Sequence, residues 1–116
     1  MEKILKYLVS FFVSLISLNV IAETAVCTGS VEKIAYHQPD GFYLKLGGSG
    51  IMKVCNPQTK YFRTSSESCK LIASLATTAR ATGKNLQIYV DNAPSTSCSS
   101  ITDWFGADIR FVELKE

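Results

Sequence analysis

The chain has 116 residues, with 12 Lys and Arg against 10 Asp and Glu and a formal net charge of +2. So even a balance argues against nucleic acid as the main partner, since phosphate binding relies on a concentrated basic surface, and against a polybasic membrane patch as well. The length allows one small domain. At its start, Lys3 and Lys6 precede an apolar stretch from Tyr7 to Val20, closed by Val20-Ile21-Ala22. Short aliphatic or small residues at the −3 and −1 positions predict a secretory signal peptide, 1–22, cut after Ala22. An uncleaved anchor is the rival reading. Against it, the stretch is shorter than the roughly 20 residues of a span and is broken by Ser10, Ser14, Ser17 and Asn19. The expected mature chain is 23–116, exported to the periplasm or secreted. Without Lys3, Lys6 and Glu2 it keeps 10 basic and nine acidic side chains.

Thr24 to His37 reads as a long strand rich in Val, Ile, Thr and Tyr. Gly29 inside it signals a bulge or a sharp bend. Beyond Gly29-Ser30 the inward set is open: either Val31, or Ile34 and Tyr36. Gln38-Pro39-Asp40-Gly41 is a turn, with Pro presetting φ and Gly accepting positive φ. Phe42 to Leu46 alternates, placing Phe42, Leu44 and Leu46 on one side and Tyr43 and Lys45 on the other. Gly47-Gly48-Ser49-Gly50 forms a hairpin loop, Ile51 to Cys55 returns, and Pro57 stops the meander. Thr64-Ser65-Ser66-Glu67 has the form of a capping box opening a helix over 65–82, with Gly83 as terminator. Ile72, Leu75, Ala76 and Ala79 make its apolar stripe. Asn85 to Val90 is a fourth strand with Gln87 and Tyr89 outward, followed by a polar loop over 91–100. Trp104-Phe105-Gly106 precedes a fifth strand, Ala107 to Leu114.

The order strand, strand, strand, helix, strand, strand predicts a mainly β fold: a five-stranded Greek-key barrel of the oligonucleotide/oligosaccharide-binding (OB) type, with its helix between strands 3 and 4. An open α+β sheet with the helix on one face is the alternative. All four cysteines lie in 23–116, and an even count in a small exported domain reads as two disulfides. In the barrel, strand 1 pairs antiparallel with strand 4, bringing Cys27 near Cys98, while Cys55 ends strand 3 just before Cys69 in the helix. The expected bridges are therefore Cys27–Cys98 and Cys55–Cys69. A four-thiolate metal site would need close pairs, and the gaps here are 28, 14 and 29 positions.

No catalytic set, metal site or cofactor motif emerges, and the chain does not read as an enzyme. His37 is the only histidine and sits beside a turn. The serines lack a G-x-S-x-G setting. Asp103 and Asp108 flank Trp104-Phe105-Gly106 with nothing to place them in one cleft, and Arg63, Arg80 and Arg110 are scattered. The Gly-rich 47–50 loop joins two strands, so it is no phosphate loop. Binding residues are better represented. Tyr36, Tyr43, Tyr61, Tyr89 and Trp104 are candidate exposed aromatics, with Tyr43 and Tyr89 on outward phases and Trp104 expected to pack. Rings among Ser, Thr, Asn and Asp suit a sugar, with its apolar C–H faces and many hydroxyls.

The passage from Leu71 to Val90, a helix with a late Thr82-Gly83 step running into a strand, resembles bacterial AB5 toxin binding subunits of the subtilase cytotoxin and typhoid toxin type. Cys27-Thr28-Gly29-Ser30-Val31 followed by Tyr36-His37 is similar to their first strand. The resemblance implies an exported OB barrel that forms pentamers, joins a catalytic A subunit and binds sialylated glycans. It places Thr28 at the position of a sugar-contacting Ser and Tyr89 near a contributing Tyr, with Tyr43 added from its outward phase. The chain lacks the family's Glu-Trp-Thr-Gly start, its cysteines fall differently and its tail is shorter. A standalone exported OB relative is the other reading of the resemblance, and the alternative to glycan binding is a protein-binding or inhibitor domain using the 91–106 loop.

Overall fold

The computed structural model describes residues 21–116. The expected signal peptide falls almost wholly on 1–20, outside the described residues. Six strands and one helix follow: β1 (Glu23–His37), β2 (Gly41–Leu46), β3 (Met52–Cys55), α1 (Ser66–Thr82), β4 (Asn85–Ala93), β5 (Phe105–Gly106) and β6 (Ile109–Lys115), with a 3₁₀ turn at Cys98–Ser100. The fold is mainly β, as its alternating segments demand. The strands form one curled sheet in the order β5-β3-β2-β1-β4-β6. β5 pairs parallel with β3 and β6 antiparallel with β4, so two residues, Ala107 and Asp108, join opposite ends of the sheet.

Strand β1 is long because it serves two partners. Glu23 to Ser30 pairs with β4, and Val31 to His37 pairs with β2. Gly29 marks a close approach rather than the bulge: a Cβ there would lie 2.7 Å from the Gly47 carbonyl oxygen. The bulge falls between Val31 and Lys33. One extra residue, Glu32, shifts the phase, so Val31 is buried and Ile34, opposite the buried Leu44, also faces inward. Of the two inward sets left open by the sequence, Val31 and Ile34 both turn inward, while Tyr36 is exposed.

Two boundaries differ from expectation. β4 runs on to Ala93, whose partner is Glu23, so the polar loop begins later than Asp91. The expected fifth strand, Ala107 to Leu114, is β6, and a sixth, short strand, β5, forms ahead of it at Phe105–Gly106; the two are separated where Asn92 intercepts the backbone. Its side-chain amide donates to the Gly106 carbonyl (2.9 Å) and its Oδ1 accepts from the Asp108 N–H (2.8 Å). The chain thereby changes partner from β3 to β4.

Helix α1 is capped by Ser65, whose hydroxyl accepts from the Ser68 N–H at 3.1 Å. The expected Thr64–Glu67 capping box does not form. Thr64 is buried, and its backbone exchanges two 2.9 Å hydrogen bonds with Tyr61 in a tight turn, leaving the cap to the next hydroxyl. Cys69, Ile72, Ala76 and Ala79 are the buried stripe, and Gly83 ends the helix at φ +70°. The core comprises this stripe, the inward phase of the sheet, including Leu44, Leu46, Met52, Leu86 and Ile88, and Ile101 from the loop before β5, all six fully buried. Each such side chain contributes about 1.5–3 kcal/mol by leaving water. Both disulfides pair as expected, Cys27 with Cys98 and Cys55 with Cys69.

Candidate functional site

Thr28 and Tyr89 meet on one surface. In the β1–β4 ladder Val26 faces Tyr89 and Thr28 faces Gln87. Val26, Thr28, Gln87 and Tyr89 all lie on the outer side, and Thr28 is a diagonal neighbour of Tyr89, roughly 7–8 Å in such ladders. Tyr89 is half-buried because Phe111 of β6 lies against it, ring centroids 5.2 Å apart, with the Arg110 guanidinium 5.3 Å from its centroid. Tyr89, Arg110 and Phe111 line a shallow, open cleft of about 260 Å³.

Phe111 and Arg110 escaped the sequence reading for a local reason. Strict alternation would bury Phe111 with Ile109. The β4–β6 register shifts between Tyr89 and Val90, leaving Arg110 as an extra residue, so Ile109 is 4 % exposed and Phe111 47 %. Beside this surface, α1 and β6 bound a second cleft of about 330 Å³, lined in part by Leu71, Leu75, Phe111 and Val112.

Charge is concentrated at one seam. The Arg63 guanidinium donates to both Asp108 oxygens, at 3.0 Å each, and lies 3.0 Å from Asp91. Arg110 Nε is 3.2 Å from Asp91, which also accepts from the Thr24 hydroxyl at 2.9 Å. The hydrogen bond to Asp108, with the charges of both carboxylates, raises the Arg63 pKa against a smaller desolvation effect. Two of the three apparently scattered arginines thus converge. The third, Arg80, donates to the Val31 and Glu32 carbonyls at the β1 bulge.

The remaining candidates lie elsewhere. Tyr43 faces Ala35 on β1, seven residues beyond Thr28 and so roughly 20 Å along the strand. The structure does not bring it to the Thr28–Tyr89 surface. Trp104, expected to pack, is 72 % exposed, with its ring edge-to-face against Tyr43 at 5.8 Å. The reason is its backbone: φ is +68°, and the Trp104 N–H is bound to the Ile51 carbonyl at 2.7 Å, which turns the ring outward. Tyr61 is partly buried, and burial, followed by the nearby Tyr43, raises its pKa above 10.0. Tyr36 is 47 % exposed and its hydroxyl accepts from Gln58 at 3.1 Å. His37 bonds Asp40 across the turn at 3.0 Å. Asp103 accepts from the Ile51 N–H while Asp108 serves Arg63, so these two carboxylates have separate structural partners. All four thiols are consumed by the disulfides.

Compared with protein families, curated proteins and solved structures, the chain matches none. Its function therefore has to be argued from these surfaces.

Proposed function

We propose that the protein is an exported, non-catalytic binding module of OB type that recognises glycans. The observation that carries this is the joint placement of Thr28 and Tyr89 on one outer face beside the Tyr89–Phe111–Arg110 cleft. The paired rings offer a C–H face of a sugar an apolar stacking surface. The Thr28 hydroxyl, exposed at the edge, supplies a donor and an acceptor. Arg110 gives Asp91 its Nε–H and keeps further N–H groups for a sugar hydroxyl or a sialic carboxylate. The OB reading is supported by the strand order. Taking β5 and β6 as one interrupted strand, the neighbours run β1-β2-β3-β5/β6-β4 and back to β1. Two disulfides support export. Among the described residues no helix is long and apolar enough to cross a membrane.

A pentamer and a catalytic A subunit belong to this proposal as the assembly that the AB5 resemblance implies. A glycan array probed with the oxidised protein at several concentrations tests the site. Selective binding that falls with Thr28→Ala and with Tyr89→Ala is the expected result, and unchanged binding in both variants refutes it. Exposed Leu71 beside the α1–β6 cleft favours the second reading, a protein-binding domain. A blank array together with stable one-to-one capture of an envelope protein, lost in Leu71→Glu, would establish that instead.

A further inference from the structure

We propose that the groove between α1 and the free edge of β6 takes the C-terminal end of a partner polypeptide, added antiparallel to β6 as a further strand. This goes beyond the glycan reading and rests on the second, protein-binding reading, to which it gives a partner.

The sheet leaves this edge open. In the order β5-β3-β2-β1-β4-β6, the seven residues of β6 have a strand on one side only. Among the described residues, alternate N–H and C=O groups of Ile109–Lys115 therefore face no strand, and no turn or loop backbone bonds to them instead. The groove lies on that edge and not on one face. Ile109, Arg110, Phe111 and Val112 are consecutive, with Ile109 buried and Phe111 47 % exposed, yet all four line the cleft of about 330 Å³. Its opposite wall is the first half of α1, with Ser68, Leu71, Ile72 and Leu75. Exposed Leu71 and Phe111 carry apolar surface on both walls out to the water.

Further along, Lys84, just past α1, lies 3.6 Å from Glu116, just past β6. Helix and strand thus run side by side in the same direction, and a chain in the slot between them sits about 4.8 Å from β6. A folded edge strand, such as the β6 of a second copy, would bring its own neighbour a further strand spacing behind it, towards α1. A chain end brings none.

Direction and charge select which end enters. Antiparallel pairing is the more stable kind, and a chain antiparallel to β6 runs towards Ile109. Its last residue arrives where Arg63 and Arg110 line the groove. Asp108 holds Nε and Nη2 of Arg63, and Asp91 lies beside Arg63 Nη2 and Arg110 Nε. Arg63 Nη1 and both Nη atoms of Arg110 make no hydrogen bond among the described residues, which leaves anchored guanidinium groups with N–H donors for a terminal carboxylate. A parallel chain would instead bring an ammonium group to two guanidinium groups.

The test titrates the oxidised protein into fluorescein-labelled six-residue peptides of the pattern Thr-X-Thr-X-Thr-X, where X is Val, Leu or Phe, and reads anisotropy. The expected result is saturable binding by at least one peptide, weakened about tenfold when its carboxylate is amidated, as for a lost charged hydrogen bond. Backbone N-methylation tells a strand from an apolar tail, since methyl groups on one alternate set of nitrogens should abolish binding while the other set retains it. Leu71→Glu should abolish it as well, with circular dichroism checking the fold, and Tyr89→Ala should leave it unchanged. No binding by any peptide, equal binding of acid and amide, or equal loss with both methylated sets overturns the proposal. Concentration-dependent dimerisation that Leu71→Glu abolishes also overturns it and assigns the edge to a second copy. Failed titrations beside array binding that depends on Thr28 and Tyr89 remove the groove alone; sound titrations beside a blank array remove the glycan site alone.

Discussion

Removing the two disulfides separately tests how the domain is held together. Cys27–Cys98 closes a separation of 71 residues and Cys55–Cys69 one of 14. Loop-closure entropy then gives about 4.4 kcal/mol for the first bridge and about 3.0 kcal/mol for the second at 25 °C. The inner loop lies within the outer one and shortens its effective length, which lowers the first figure by about 0.2 kcal/mol. Packing works the other way. Cys55 and Cys69 are both buried to 1 % exposure or less, whereas in the other pair only Cys27 is. Alanine is the substitution of choice, since serine would place unpaired hydroxyls in the core. Chain entropy predicts that Cys27→Ala/Cys98→Ala is the more destabilised variant, with melting shifts of roughly 20 °C against 15 °C for a domain of this size. Equilibrium urea unfolding of the oxidised protein and both variants measures the difference. A greater loss in Cys55→Ala/Cys69→Ala would refute the entropic argument and show that the sulfurs act chiefly by filling space.

Ser65→Ala removes the observed helix cap and is expected to cost about 1 kcal/mol in urea unfolding, whereas Glu67→Gln changes stability by less than about 0.5 kcal/mol. The reverse ranking would restore the capping box. Gly50→Ala forces a Cβ against the Thr102–Asp103 backbone and is expected to destabilise by about 1–3 kcal/mol. The same variant should shift Trp104 emission as its mount moves, and an unaltered spectrum would show the turn to be independent of β3. Tyr61 holds its proton more tightly in the folded chain than in the unfolded one. Its contribution to stability is therefore complete below pH 10 and falls away as pH rises through the folded pKa. Urea midpoints at pH 9 to 11 should decline less in Tyr61→Phe than in the wild type; parallel declines would remove Tyr61 as the cause.

Much of the fold was legible because it is written in local patterns. Phe42, Leu44 and Leu46 alternate with Tyr43 and Lys45, and β2 buries the first set. Gly83 ended the helix where a left-handed residue was needed. The disulfides followed from strand order, which brings the start of β1 to the region beyond β4. The candidate site was only partly legible. Tyr89 could be placed outward from strand phase and Thr28 was a candidate by resemblance alone, but Phe111 and Arg110 could not be added to them. Tyr43 was rightly outward yet belongs to another surface, since phase gives a face and says nothing of position along the sheet.

The sequence by itself determined five of the six strands, where the helix lies, and how the four cysteines pair, because period, turn chemistry and chain order can be read along the chain. Tertiary structure decided where that regularity breaks. The extra residues at Glu32 and Arg110 reset the alternation after them, since with a period of two one inserted residue moves each later side chain to the other face. Asn92 divided the last strand, and Ile51 and Asp103 held Trp104 outward. In each case a backbone group found its partner in a segment distant along the chain. That choice depends on which strands lie side by side, and so the exposed rings became identifiable only once the sheet had formed.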